Sequence, residues 1–153
     1  MNDLARRALE LIDRTDDAVE LRRIAANAHA RGEVEVHRAA LRRLYAVLPS
    51  ACPGTLEYDV WQSIHALEEE LSMERGKTLR LGRTRQKIQR DGEVGTVAAL
   101  VTGKMSEGFE MLRVRDMLDL SFEAVAKRHP DRFAPEVLEA ATRRLAEYGY
   151  SNV

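Results

Sequence analysis

The chain has 153 residues, of which 44% are hydrophobic and 32% charged; this excludes a disordered polymer and suits one ordinary domain or two small helical lobes. Its formal net charge of −1 excludes a molecule that is basic throughout, such as a nucleic-acid coat. A lone cysteine, Cys52, excludes an internal disulfide and suits a reducing compartment.

Ala, Leu, Arg and Glu dominate, aromatics are only 5%, and strand alternation is not seen. An all-α fold of about seven or eight helices is expected. The first helix is predicted from about Asp3 to Ile12, with Leu4, Ala8, Leu11 and Ile12 on one face. Thr15 or Asp16 is suited to cap a second helix over about Asp17 to Arg31, which Gly32 ends. Glu33 to Leu48 reads as a third helix, with Val36, Ala40, Leu44 and Val47 in line. The short turn between the second and third predicts an antiparallel hairpin.

Pro49 to Gly54 is a clear break. Thr55 then caps a long helix to about Met73, striped by Leu56, Val60, Ile64, Leu67 and Leu71. Trp61, the sole tryptophan, is expected to be a packing anchor on it. A short helix over about Arg83 to Arg90, closed by Asp91-Gly92, follows. The remainder predicts short helices near Gly95 to Val101, Ser106 to Val114, Ser121 to Arg128 and Pro135 to Tyr148. Pro135 marks a first turn, Gly149 a last turn, and His129-Pro130 a stop. The expected organisation is an N-terminal helical lobe with the long central helix (1–74), a basic segment (75–92) and a C-terminal helical cluster (93–153), integrated into one domain.

Charge is unevenly distributed. Residues 1–72 hold nine basic and thirteen acidic groups, residues 73–91 seven and two, and residues 92–153 eight and ten. The stretch RGKTLRLGRTRQKIQR carries Arg75, Lys77, Arg80, Arg83, Arg85, Lys87 and Arg90 without an acid among them. Such a band attracts a phosphate backbone, binding it with salt-dependent and largely sequence-blind affinity. Thr78, Thr84 and Gln86 can add hydrogen bonds to phosphates or base edges. The alternative is a solvated face, or arginines paired with Glu68, Glu69 and Glu70 on the preceding helix. Five arginines against two lysines favour bidentate pairing, which phosphate and carboxylate satisfy equally.

A second pattern, Ala99, Gly103, Phe109 and Leu112, has the small residue, turn glycine and apolar positions of a helix-turn-helix corner. Glu107 and Glu110 on its second helix oppose phosphate contact, so a plain helical corner is favoured. His29, His37, His65 and His129 lack ligand spacing, although His29 and His37 can face one another across the 31–34 turn. Consecutive acids at 68–70 point in different directions and form no catalytic pair. Cys52 has no obvious base and reads as a passive thiol. Phosphate-binding glycine loops are absent. No catalytic, metal or cofactor site is therefore expected.

The run WQSIHALEEELSMERGKTLRLGRTRQKIQRDGEVGTVAALV, with GFEML and LSFEAVAKRHPDRFAPEVLEAATRRL beyond it, resembles small bacterial all-helical proteins with an RTRQKI-type basic segment. The RTRQKI core at Arg83–Ile88 and the Phe122–Pro130 segment carry the likeness. It implies a single bacterial cytosolic unit and transfers no catalytic residue, because no activity is attached to that group.

The opening MNDLARRALELIDRTDD has acids early and no continuous apolar core, so no signal peptide is expected. No apolar run approaches the roughly 20 residues that span a bilayer. The sequence thus predicts a cytoplasmic, non-enzymatic nucleic-acid binder with duplex DNA as the favoured partner and no membrane contact. The rival is an adaptor whose basic belt docks on an acidic protein or on a second copy, giving a homo-oligomer.

Overall fold

Side-chain caps set most of the helix starts in the computed structural model, which describes residues 2–150. Asn2 accepts from the Ala5 amide at 2.7 Å and opens α1, Asp3–Arg14. Asp17 accepts from the Val19 amide at 2.9 Å and opens α2, Ala18–Ala30. The cap is thus one residue past the predicted pair. Thr15 instead donates its hydroxyl back to the Leu11 carbonyl at 2.6 Å, closing α1.

Gly32, at φ 69°, turns α2 into α3, Val34–Val47. The Glu33 amide reaches the Ala28 carbonyl at 2.9 Å and the Gly32 amide reaches that of His29 at 3.1 Å, a Schellman closure. The predicted hairpin forms, and α1 packs on α3 beside it. Arg43 of α3 ties the corner by donating to the Thr15 carbonyl at 2.9 Å. The two predicted histidines do meet, with ring centroids 5.0 Å apart. His37 Nδ1 donates to the Ala25 carbonyl at 2.9 Å.

The chain divides into two compact units, Met1–Ser50 and Ala51–Val153. The boundary falls at the Pro49–Gly54 break rather than after residue 74, so the long helix α4, Leu56–Arg75, belongs with the C-terminal helices. Its stripe explains why. Leu56, Val60 and Ile64 share one buried cluster with Ile88 and Val97 of α5, Val125 of α7 and Val137 and Ala141 of α8. Helix α5 spans Gly82–Thr102, α6 Glu107–Val114, α7 Phe122–Arg128 and α8 Pro135–Glu147. Short 3-10 turns at Leu118–Leu120 and Pro130–Arg132 flank α7. Eight α-helices and no strand are present among the described residues. None of these helices is long and apolar enough to cross a membrane.

The two short helices expected on either side of Asp91-Gly92 are the arms of α5. Gly92 sits between them at φ 79° and ψ 171°, a backbone region open essentially to glycine alone. Polar ties hold the second unit's outer helices. Arg144 of α8 donates to the buried Glu123 carboxylate of α7 at 2.7 Å and to the Gly103 carbonyl ending α5 at 2.5 Å. Asp59 of α4 accepts from His129 Nε2 at 2.7 Å and Arg128 Nε at 3.3 Å.

Gly92→Ala should lower stability by about 1–3 kcal/mol. A Cβ there meets nothing within 4 Å, so the loss would be purely that of the backbone. Gly82→Ala, free of positive φ and equally open, should be neutral or mildly stabilising when both variants are unfolded in urea. Thr96 is fully buried and its hydroxyl has no partner among the described residues. Thr96→Val is therefore expected to raise the melting temperature, by removing a desolvated donor that costs about 1 kcal/mol or more. A fall in melting temperature would show that the hydroxyl has a partner in solution.

Candidate nucleic-acid interface

Helix α4 ends in a left-handed Gly76, at φ 66°, and the chain returns through residues 77–81 into α5. This return is held from below by α4 itself. Glu68 lies eight residues after Val60 and four after Ile64, so it shares their buried face. It is 7% exposed. Its carboxylate accepts from the Leu81 amide at 2.8 Å, from Arg85 Nε at 2.7 Å and from an Arg85 terminal nitrogen at 2.7 Å. One turn later on α4, Ser72 Oγ accepts from the Leu79 amide at 2.9 Å. Two side chains of one helix thus fix both halves of the loop.

Burial alone would push the Glu68 carboxyl up. The Arg85 guanidinium and the Leu81 amide outweigh it and hold the group below the ordinary glutamate value of 4.5. Arg85 is raised in turn, chiefly by its hydrogen bonds to Glu68. Its guanidinium carbon also lies 5.2 Å from the Trp61 ring centroid. Trp61 donates its indole N–H to Glu93 at 3.1 Å, so the expected packing anchor is also a polar bridge from α4 to α5.

The seven predicted cations separate into groups. Arg75, Lys77, Arg80 and Arg83 are exposed and have no hydrogen-bond or ion-pair partner among the described residues. Arg85 faces inward on Glu68, the intramolecular pairing that the sequence offered as the alternative. Lys87 donates to Asp91 at 2.9 Å, one helical turn on. Arg90 reaches the same carboxylate at 3.4 Å while remaining 67% exposed. Asp91 is lowered by the Lys87 hydrogen bond first, and by Arg90 as well. The acid run does not act as one feature: Glu70 pairs with Arg115 at 3.5 Å, and that arginine also meets Glu74.

Other sequence candidates fall into structural roles. Phe109 and Leu112 are buried, and α6 packs chiefly on α4 and the Leu118–Leu120 turn. Glu110 of α6 pairs with Arg113 of its own helix. Cys52 is exposed and free. No cluster of histidine, cysteine and acidic side chains suited to a metal occurs among the described residues. Burial pushes the His65 imidazole down. The residue whose role sequence reasoning missed is Glu68 as a loop brace. The available signal was its register with Val60 and Ile64, together with Ser72 four residues on.

No protein-family model, curated protein or solved structure matches the chain. What the band does must therefore be argued from its own geometry.

The Glu68–Arg85 pair sets a pH dependence. A carboxyl lowered in the folded state stabilises the fold above its unfolded value, and that contribution is lost as pH falls through the folded value. Glu123 has the opposite sign: burial raises it against the pull of Arg144, so its ionised form weighs against the fold as pH rises. Glu68→Gln should therefore make the acid limb of a stability–pH curve shallower below about pH 4.5. Arg85→Ala leaves a buried carboxylate without its cation and should lose about 2–3 kcal/mol at neutral pH, less than a fully buried pair because Arg85 retains some solvent. An unchanged acid limb in Glu68→Gln would show that the brace contributes nothing to folding.

Proposed function

We propose that the protein binds nucleic acid without catalysis, favouring duplex DNA, through the phosphate backbone. The observation that carries this reading is the cationic edge at Arg75, Lys77, Arg80 and Arg83. These four side chains are exposed and make no hydrogen bond or close ion pair among the described residues, although the Arg80 charge also acts on Glu68. They stand on a return whose backbone Glu68 and Ser72 hold in place. Charges presented on a braced loop lose less conformational freedom on binding than charges on a free tail.

Phosphate contact is the principal mode, because the partner-free groups of the edge are cations; the exposed Gln86 on α5 can add a hydrogen bond to a phosphate or a base edge. Base stacking is disfavoured: the nearest tryptophan, Trp61, is already engaged by Arg85 and Glu93. Arg90 and Lys87 share Asp91, which reduces what they can offer a polyanion. Arg85 acts by holding the loop rather than by touching the ligand.

Salt dependence tests the count. Four phosphate contacts give a slope of log affinity against log salt of about −3.6, where all seven cations would give about −6. Arg80→Ala should reduce the magnitude of the slope by about one unit on a short duplex, and the fourfold alanine variant at positions 75, 77, 80 and 83 should abolish retention at low salt. Retention of duplex by that fourfold variant, with an unaltered slope, would sink the proposal.

A further inference from the structure

Beneath the cationic edge lies a cleft of about 490 Å³, enclosed by α4, the first turn of α5, α6 and the start of α7. Its walls are mainly apolar, with Ile64, Leu67, Leu81, Phe109, Leu112 and Phe122 among them. That size and lining are those of a small-molecule site.

Two polar features stand out against the apolar walls. At the lip, Gly82, Arg83 and Thr84 begin α5. Leu81, which precedes them, supplies no side-chain cap, and the amides of these three residues have no acceptor among the described residues. The nearby Glu68 charge is already balanced by Arg85. The lip therefore presents free N–H groups, the positive end of a helix dipole and an unpaired guanidinium. Deeper in, Ser63 lines the cleft while only 2% exposed, and its hydroxyl has no hydrogen-bond partner among the described residues. A hydroxyl buried in this way and left open to a cavity is one that a ligand's polar atom would satisfy.

We propose that this cleft binds a small amphiphilic carboxylate. The apolar body lies against the Phe109 and Phe122 side of the wall, the acid group meets Arg83 and the first amides of α5, and a second polar atom carried on the body, such as a hydroxyl, meets Ser63 further in. A singly charged acid suits the site better than a phosphate dianion. Glu107 also stands at the lip and Glu123 borders the cleft, the latter already paired with Arg144, so added negative charge meets opposition. The site goes beyond the nucleic-acid reading and shares only Arg83 with it.

Dodecanoate, held below its micelle concentration, probes the acid contact and the apolar wall, with dodecanol as its neutral counterpart. Calorimetry on the full chain should show saturable one-to-one uptake of dodecanoate and markedly weaker uptake of dodecanol. Arg83→Ala should weaken dodecanoate about tenfold or more, the worth of a charge-assisted hydrogen bond. Arg83 is exposed and unpartnered, so this variant should fold. Glu107→Gln should bind more tightly. Arg80→Ala should bind dodecanoate as the natural chain does while losing duplex affinity, which separates failure of this site from failure of the nucleic-acid proposal. In amide nuclear magnetic resonance spectra, the resonances of Ser63, Gly82 and Gly108 should shift on titration. Equal affinity for dodecanol, shifts confined to other residues, or no saturable uptake up to about 1 mM would each overturn the assignment.

Discussion

A single buried carboxylate organises the corner on which the functional reading rests. Glu68 takes one donor from the backbone of the loop and two from a side chain of the next helix. Burying an ionised acid is unfavourable unless its oxygens are met by donors, and here the donors come from the segment that has to be positioned. The same contacts that make the charge tolerable also fix where the loop runs and where α5 begins. Charge balance and chain geometry are thus one arrangement, and neither persists without the other.

That arrangement sorts the basic residues. On a helix, residues two positions apart point in nearly opposite directions. Arg83 therefore faces out as Arg85 faces Glu68, although both belong to one RTR triplet. Beyond the triplet, Asp91 draws on Lys87 and Arg90. What remains open is the loop and the first turn of α5, a region far narrower than the sixteen-residue stretch from Arg75 to Arg90.

Much of the fold was legible. Thr55, Ser106 and Ser121 announce helix starts and accept hydrogen bonds from the amides that such caps serve. Gly32 and Gly149 mark helix ends and carry positive φ. The break at Asp91-Gly92 was legible as an interruption, and the backbone at Gly92, at φ 79° and ψ 171°, does leave the helical region there and separates the two expected arms. Three polar residues in a row, Thr15, Asp16 and Asp17, left the cap of α2 ambiguous. Periodicity showed that α4 has an apolar face, yet not that the C-terminal helices cover it. The band's position was plain from charge counts alone. Its division into inward and outward groups required knowing which face of α5 meets Glu68 of α4, and that pairing lies seventeen residues away in sequence.

The sole indole of the chain sits at this corner, under Arg85 and bonded to Glu93. The N-terminal unit has no tryptophan of its own. Intrinsic emission excited at the indole band consequently reports on the α4–α5 corner and is spectroscopically silent about the first three helices. Ellipticity, by contrast, sums over every helix. Comparing the two signals during denaturation distinguishes a chain that melts as one cooperative body from one whose halves come apart separately, with no label attached.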